Sequence, residues 1–141
     1  MDKFNFDQII KKLEQAKSSL PKVLANDTKK FFLSSWQKQG WDDGVVKSWA
    51  PRKYNKNKRA AGRSILVKSG ALRRAVNTSL KSETFDNIKF SVDLPYAQIH
   101  NDGLTMKNDK RMPQRKYMGD SASLRKIQKQ KIQYSIDKIF K

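Results

Sequence analysis

The stretch Val92–Gly119 decides the fold: it reads V-D-L-P-Y-A-Q-I-H-N-D-G, then a basic connector, then M-P-Q-R-K-Y-M-G. Pro95 disfavours helical dihedral angles at the residue before it, so a strand is predicted to end at Leu94. Residues 96–100 are then predicted to form one short ordered piece. The N-D-G that ends at Gly103 closes this piece, because all three residues tolerate left-handed backbone angles.

Downstream of the connector, Pro113 is predicted to start an extended segment, and Gly119 to release the chain into a final helix over 120–140. Asp120 or Ser121 can cap that helix. Its apolar stripe consists of Leu124, Ile127, Ile132, Ile136, Ile139 and Phe140. We expect this helix to cover a small sheet formed by the residues upstream, which otherwise has nothing to bury it.

Upstream of the deciding stretch, two alternating runs predict an antiparallel hairpin with one buried face. The first run is Val76, Thr78 and Leu80, and the second is Ile88, Phe90 and Val92. A polar turn over 83–87 joins them. Before the hairpin, Ile65-Leu66-Val67 predicts a short strand or extended lead-in, and Ser69 can cap a short helix from Gly70 to about Arg74.

The N-terminal residues predict helix. Asn5 can cap, with Gln8 three residues on. Apolar residues then share one helical face: Phe6, Ile9, Ile10, Leu13, Ala16 and Leu20. Pro21 either kinks a continuous helix or occupies the first turn of a second one, and we interpret the pattern as two segments, 5–19 and 21–38. Their apolar face indicates core or a subunit interface.

Residues 41–63 show neither helical nor strand periodicity and are predicted to form a long basic loop. Six basic residues and no acidic one lie at its end: Arg52, Lys53, Lys56, Lys58, Arg59 and Arg63. Tyr54 is the one aromatic residue in this segment, so the segment largely lacks the aromatic side chains on which single-strand binders stack bases. The loop is either a solvated arm or one that becomes ordered on an anionic surface or a neighbouring subunit.

The length of 141 residues favours one domain, 1–141, large enough to bury a core. A hydrophobic content of 37% is low for a compact monomer, so part of the chain is expected to be loop or to be ordered by a partner. Cysteine is absent, which excludes a disulfide framework and a thiolate metal site. The N-terminus lacks an apolar run of signal-peptide length, and no window is apolar enough to span a bilayer. We expect a cytoplasmic protein without a membrane partner.

The net charge of +18 attracts acidic partners, with nucleic acid as the first candidate. A lysine-rich solubilising surface is the other interpretation, because lysine outnumbers arginine along most of the chain. Both stay open.

An enzyme is hard to build from these residues. His100 is the only histidine, so nucleophilic or metal chemistry has one candidate base or nitrogen ligand. We expect it to pack beside Tyr96 and to hydrogen-bond the backbone. The run Gly44–Ser48 lacks the paired glycines of a phosphate loop. No catalytic residue, metal site or cofactor is predicted.

The motifs together carry a resemblance. Y-A-Q-I-H-N-D-G followed by a Pro-x-Arg-x-aromatic-x-Gly segment resembles the virion morphogenesis (tail-completion) proteins of tailed bacteriophages, of the Mu-like prophage type. Trp49-Ala50-Pro51 and the run 65–72 fit the same pattern in the same order, so the resemblance spans about half the chain. The basic connector Leu104–Met112 and Lys116, where a second proline is frequent, depart from it.

The resemblance implies a non-enzymatic structural protein of a phage or prophage, acting in tail completion or head–tail joining as an oligomeric ring. It would be made in the bacterial host cytoplasm and end in the tail or neck of the virion. Its partners would be other tail or neck proteins and copies of itself, with DNA as a further candidate contact. Arg115 either pairs structurally with a carboxylate or carbonyls or touches a partner.

The remaining predicted partner-binding residues are the six of the basic loop and, in the connector, Lys107, Lys110 and Arg111. Two rivals to the structural role remain, a sequence-nonspecific nucleic-acid-binding module and a hydrolase with a hidden site. The fold predicted throughout is α+β: an N-terminal helical segment or pair, a small antiparallel sheet centred on 76–80 and 88–92, and a C-terminal helix packed on it.

Overall fold

One long helix begins the described part of the chain. A computed structural model describes residues 5–52, 64–67 and 69–141. Helix α1 spans Phe6–Lys38, and the Asn5 Oδ1 accepts a hydrogen bond from the Gln8 N–H at 3.3 Å. The prediction of two segments was wrong, because Pro21 lies inside a continuous helix. Proline removes one intrahelical hydrogen bond, but the Pro21 ring is buried, so its packing offsets part of that loss.

A β-hairpin follows at once, where the sequence predicted loop. Strand β1 is Gly40–Asp42 and strand β2 is Val46–Ser48, paired antiparallel with Trp41 opposite Lys47. A Cβ on Gly40 would lie 2.5 Å from the Lys47 carbonyl oxygen, so this close approach of two backbones requires glycine. Strands of three residues are too short for alternation to show in the sequence. The predicted loop's later part, 53–63, lies outside the described residues.

The predicted strand through Val76 is a helix. Helix α2 is Ala71–Asn77, and it begins after Gly70, as expected. Leu72 and Val76 are both buried and lie four residues apart, which is helical spacing. The residues predicted as a short strand or extended lead-in form a turn instead, in which the Val67 N–H donates to the Ser64 carbonyl at 3.2 Å. The alternation of apolar and polar residues over 76–80 therefore does not reflect a strand through Val76. Packing of Leu72 and Val76 against α1 favours the helix instead.

The second hairpin lies close to the predicted place. Strand β3 is Leu80–Glu83 and strand β4 is Ile88–Phe90, with an irregularity between Leu80 and Ser82. Thr84 and Asn87 exchange backbone hydrogen bonds of 2.8 and 3.2 Å across the predicted turn. The hairpin packs along α1, where the Phe90 and Phe32 rings meet edge to face at 5.4 Å.

Two more helices complete the chain. Helix α3 is Ala97–Asp102, and helix α4 is Ala122–Phe140, capped by Ser121. Helix α4 lies along α1, with Gln128 donating to the Thr28 hydroxyl at 3.2 Å. The main packing partner of this helix is α1, where we expected the sheet, and its first turn is bonded to the β1–β2 hairpin. The α+β class is confirmed.

The first turn of α4 is tied to the β1–β2 hairpin by polar bonds. The Asp43 carboxylate accepts from the Ala122 N–H at 2.6 Å, and the Ser121 hydroxyl donates to the Asp42 carbonyl. The Ser123 hydroxyl donates to the Asp42 carboxylate at 2.6 Å, and this bond, followed by Lys38, lowers the pKa of Asp42. Helix α4 is thereby held at a fixed position relative to β1.

The core is mainly aromatic and sits at the C-terminal half of α1. The Trp36 ring lies 5.7 Å from Trp49 and 5.3 Å from Tyr117, and the Trp41 ring lies 5.5 Å from Phe31. The buried residues of this cluster are Phe31, Phe32, Trp36, Trp41, Trp49, Leu72, Val76, Ala97, Tyr117 and Leu124. In the described part of the chain, no helix combines the length and the apolarity needed to cross a bilayer.

Candidate partner-binding site

A tight turn after α3 starts the site. Gly103 ends the helix with a φ of 69°, in the left-handed region that favours glycine. A Cβ there would lie 2.8 Å from the Gln114 backbone nitrogen, so a side chain at this position would displace the segment around Gln114. The chain can therefore leave the body at Gly103 and return beside it eleven residues later.

The connector, residues 104–112, folds back on itself. Its base is closed by the Met112 N–H donating to the Leu104 carbonyl at 3.2 Å, and Thr105 bridges to Arg111. Nearer the tip, the Met106 N–H donates to the Lys110 carbonyl at 2.8 Å. This closed loop exposes its three basic side chains, which are Lys107, Lys110 and Arg111.

An open cleft of about 350 Å³ lies at the base of the connector. It is lined by Asp102, Gly103, Arg111, Met112, Pro113 and Gln114. The Arg111 guanidinium and the Asp102 carboxylate give it both charges, and Met112 and Pro113 give it apolar wall.

Arg115 anchors the connector's base to the body, and it is 7% exposed. Its Nε donates to the Ala50 carbonyl at 2.9 Å and its Nη2 to the Pro51 carbonyl at 3.3 Å, while its backbone N–H donates to the His100 carbonyl at 2.7 Å. We name Arg115 with the Ala50 and Pro51 carbonyls the arginine clamp. Of the two roles expected for Arg115, the structure shows the pairing with carbonyls.

The arginine clamp joins two motifs that are far apart in sequence. Burial, and secondarily the charge of Arg52, lowers the pKa of Arg115 below its ordinary value. Beside the clamp, the Trp49 Nε1 donates to the Lys116 carbonyl at 2.9 Å. The Trp-Ala-Pro segment and the Pro-x-Arg segment therefore form a single structural unit under the connector.

Tyr117 and Asn101 complete this unit. The Tyr117 hydroxyl donates to the Ala97 carbonyl at 2.7 Å, and burial, more than the nearby Asp102 charge, raises the pKa of Tyr117. The Asn101 Oδ1 accepts from the backbone N–H groups of Tyr117 and Met118, both at 3.0 Å. The sequence indicated Asn101 as a turn residue only. The two N–H groups that donate to its Oδ1 lie sixteen and seventeen residues away, so the local pattern does not predict these bonds.

His100 packs against Tyr96, as expected, with ring centroids 6.1 Å apart and nearly perpendicular. Its Nδ1 is buried and, among the described residues, has no hydrogen-bond partner, so the expected backbone bond is not seen at that atom. Burial, followed by the charge of Arg115, lowers the pKa of His100 from 6.5. A neutral imidazole is the form that this surrounding favours.

The structure brings only some of the predicted residues together. Lys107, Lys110 and Arg111 share the exposed connector, with Arg115 buried beneath it. Arg52 lies at the same end, where its Nη2 donates to the Ser64 carbonyl at 2.8 Å. The other predicted loop residues lie outside the described residues: Lys53, Lys56, Lys58, Arg59 and Arg63. Within the described ranges, no three His, Asp or Glu side chains group closely enough to hold a metal ion.

Comparison with known proteins gives one match. The model of a family described as the phage virion morphogenesis family matches residues 5–139, nearly the whole chain. No curated protein and no solved structure matches. The matched residues include both hairpins, the arginine clamp and the connector.

Proposed function

The chain belongs to the phage virion morphogenesis family, and from this premise we propose that it acts in tail completion or head–tail joining, as an oligomeric ring without enzymatic activity. Membership of the family indicates a structural or assembly role in building a phage particle. The finer role at the tail or neck of the virion, after synthesis in the host cytoplasm, is our proposal. The observation that carries it is the match over residues 5–139.

The site supports a role in contact rather than in chemistry. In the arginine clamp, the most buried basic side chain of the site, Arg115, donates hydrogen bonds to two backbone carbonyls. His100 lies beside an aromatic ring, with its Nδ1 unpartnered among the described atoms. These groups make a rigid base, and the base presents the three exposed cations of the connector. Rigid backing of an exposed polar loop is typical of a binding surface.

The connector's cations favour an acidic surface on a neighbouring tail or neck protein, or on the next subunit of the ring. Complementary charge speeds encounter and fixes register between proteins. The cleft below adds apolar wall from Met112 and Pro113, which a bare polyanion would leave unused. A protein partner therefore fits this surface better than nucleic acid alone.

The test is assembly in the phage that carries the gene. Deleting the gene is expected to leave heads and tails that do not join, and the intact chain supplied in trans is expected to restore them. A triple variant, Lys107→Glu with Lys110→Glu and Arg111→Glu, should fold but fail to restore assembly. A matched control carries the same charge change on other exposed lysines, Lys22→Glu with Lys30→Glu and Lys89→Glu, and should restore it. Normal particles without the gene would overturn the proposal.

The second candidate is a sequence-nonspecific nucleic-acid-binding module, which the net charge of +18 favours. Binding through phosphate contacts would weaken steeply with added salt, because bound counterions are released. A mobility-shift titration of duplex DNA at low and raised salt decides this: absence of a shift even at low salt removes the candidate. A shift lost in the connector variant but kept in the control variant would place DNA at the connector.

A further inference from the structure

The turn between β3 and β4 carries acidic side chains and an exposed aromatic ring. Residues 83–87 read E-T-F-D-N, with two acidic residues and no basic one in a chain of net charge +18. Glu83 and Asp86 are exposed, and neither takes part in the ion pairs formed within the described residues. Phe85 lies between them in sequence and is 60% exposed. We name residues 83–87 the hairpin tip.

The other acidic residues that lie this close in sequence, Asp42 and Asp43, are bonded within the body. The Asp42 carboxylate accepts from the Ser123 hydroxyl at 2.6 Å and pairs with Lys38 at 3.1 Å. The Asp43 carboxylate accepts from the Ala122 N–H at 2.6 Å. Within the described residues, the hairpin tip is thus the place where two neighbouring carboxylates stay available to a cationic partner.

The connector and its cleft offer the complementary surface. The three exposed cations of the connector outnumber the acidic residues beside them, Asp102 and Asp109. Below them lies the cleft of about 350 Å³, with Met112 and Pro113 as apolar wall. A cavity of roughly 150 Å³ is enough for a benzene ring, so the cleft has room for one phenylalanine ring. Aromatic side chains are enriched at the buried centres of protein interfaces.

The hairpin tip and the connector lie toward opposite ends of the body. The hairpin tip reaches Lys17, whose Nζ lies 5.4 Å from the centre of the Phe85 ring. The base of the connector adjoins Trp36, whose ring lies 5.3 Å from the Tyr117 ring. Nineteen residues of α1 separate Lys17 from Trp36, a helical distance of roughly 28 Å. Contact between the two surfaces is therefore expected between copies and not within one.

We propose that the hairpin tip of one copy docks on the connector of the next copy, with Phe85 in the cleft and with Glu83 and Asp86 against the connector cations. The partner of the connector is then a second copy of this chain. A head-to-tail contact of this kind uses two different surfaces on each subunit, and repeated copies close into a ring when the rotation between them allows it. The proposal rests on the ring of the proposed function and names the contact that builds it.

Long-range repulsion between the positive bodies opposes this contact, and local attraction favours it. Interactions between exposed charges are largely screened beyond roughly 8 Å at physiological salt. Docking places opposite charges closer together than that, where complementary charges fix the register between proteins. It also removes the Phe85 ring from water, which is favourable. We therefore expect copies to associate at physiological ionic strength.

The first experiment reverses the charges of the two surfaces and measures association of nuclease-treated protein by sedimentation equilibrium. The hairpin variant is Glu83→Lys with Asp86→Lys, and the connector variant is Lys107→Glu with Lys110→Glu and Arg111→Glu. Each variant alone is expected to associate at least about 10-fold more weakly than wild type, because like charges then face each other. Mixing the two variants is expected to restore association, because each changed surface then meets one of opposite charge.

The net charge makes the connector variant a stringent test. Its substitutions lower the net charge of +18 by six, so general repulsion between copies decreases. Weaker association of this variant therefore reports the loss of a specific contact. The matched control, Lys22→Glu with Lys30→Glu and Lys126→Glu, lowers the net charge equally at exposed helical positions and should associate no more weakly than wild type.

Wild type that stays monomeric at all concentrations, or variants whose mixture associates no better than either alone, would overturn the proposal. Oligomers that disappear on nuclease treatment would also overturn it, because a polyanion would then bridge the copies. The contact is measured on purified protein and the assembly role in the phage, so the failure of one is distinguishable from the failure of the other.

The second experiment uses wild type alone. Zero-length carbodiimide coupling joins a lysine amine to a carboxylate that it contacts, and an equal mixture of isotope-labelled and unlabelled protein separates links between copies from links within one. Links between copies are expected from Lys107 or Lys110 to the acidic residues of the hairpin tip. The Lys38–Asp42 pair, at 3.1 Å, is the internal control and should give a link within one copy. The internal link without the links between copies would contradict the proposal.

Discussion

The two halves of α1 share one apolar stripe but have opposite surroundings. From Pro21 to Trp36 the stripe is buried, and from Phe31 onward it forms part of the mainly aromatic core. In the N-terminal turns of α1, Ile10 and Leu13 lie at the same spacing yet are 50% and 42% exposed. Periodicity thus identifies which face of a helix is apolar, and other elements decide whether that face becomes core or a surface for association. Substitutions in the two halves should therefore change the free energy of unfolding by different amounts.

The largest effect is expected at Trp36, which is 4% exposed and contacts Trp49 and Tyr117. Replacing it by alanine removes a large buried ring and leaves a cavity, so Trp36→Ala should lower the free energy of unfolding by about 3–5 kcal/mol. Urea unfolding followed by circular dichroism measures this. A loss below about 1 kcal/mol would mean that the buried part of α1 contributes no more to the free energy of unfolding than its exposed N-terminal turns do.

The next effect is expected at the arginine clamp. In Arg115→Met the Ala50 and Pro51 carbonyls lose their charged donor, so the free energy of unfolding should fall by roughly 2–3 kcal/mol. Arg111→Met is the matched control on the exposed connector. It should change the free energy of unfolding by no more than about 0.5 kcal/mol. Equal losses in the two variants would show that the clamp is not what holds this end of the body.

A smaller, pH-dependent effect is expected at His100. Its pKa is lowered in the folded state from 6.5, so folding favours the neutral imidazole. Its contribution to stability is therefore full above pH 6.5 and is lost as the pH falls from there through the folded-state pKa. The free energy of unfolding of wild type should decline over that window, and the decline should be weaker in His100→Gln. The lowered pKa of Asp42 acts in a separate window below 3.8, so the two are separable by titration.

The smallest effect is expected in the N-terminal turns of α1. Leu13 is 42% exposed, so Leu13→Ala should change the free energy of unfolding of the monomer, measured at high dilution, by no more than about 0.5 kcal/mol. A large loss of unfolding free energy at high dilution would show that Leu13 is covered by other residues of its own chain.

Several elements were predictable because their signals are local. Asn5 and Ser121 start helices in the structure at the places where capping predicts them. Gly103 ends a helix with the left-handed geometry that its N-D-G context indicated. The turn before Ile88 is closed by Thr84 and Asn87, as predicted from polar residues between alternating runs.

The errors fell where local signals were ambiguous. Val76 fits strand alternation with Leu80 and helical spacing with Leu72, and only its complete burial against α1 separates the two. The first hairpin was missed because its strands have three residues each and are held by long-range bonds to Ser121 and Ser123. Pro21 lies within one helix because the packing around its ring offsets the missing hydrogen bond.

By itself, the sequence determined the class of fold, the helix starts, the motifs that resemble phage morphogenesis proteins and the strong positive charge, because each depends on residue type or short spacing. The tertiary structure alone decided that α4 lies on α1, that Arg115 holds the Ala50 and Pro51 carbonyls, and that the stripe of α1 is covered at one end only. Those outcomes depend on which distant surfaces meet, and burial energy selects among such meetings only when the whole chain is folded.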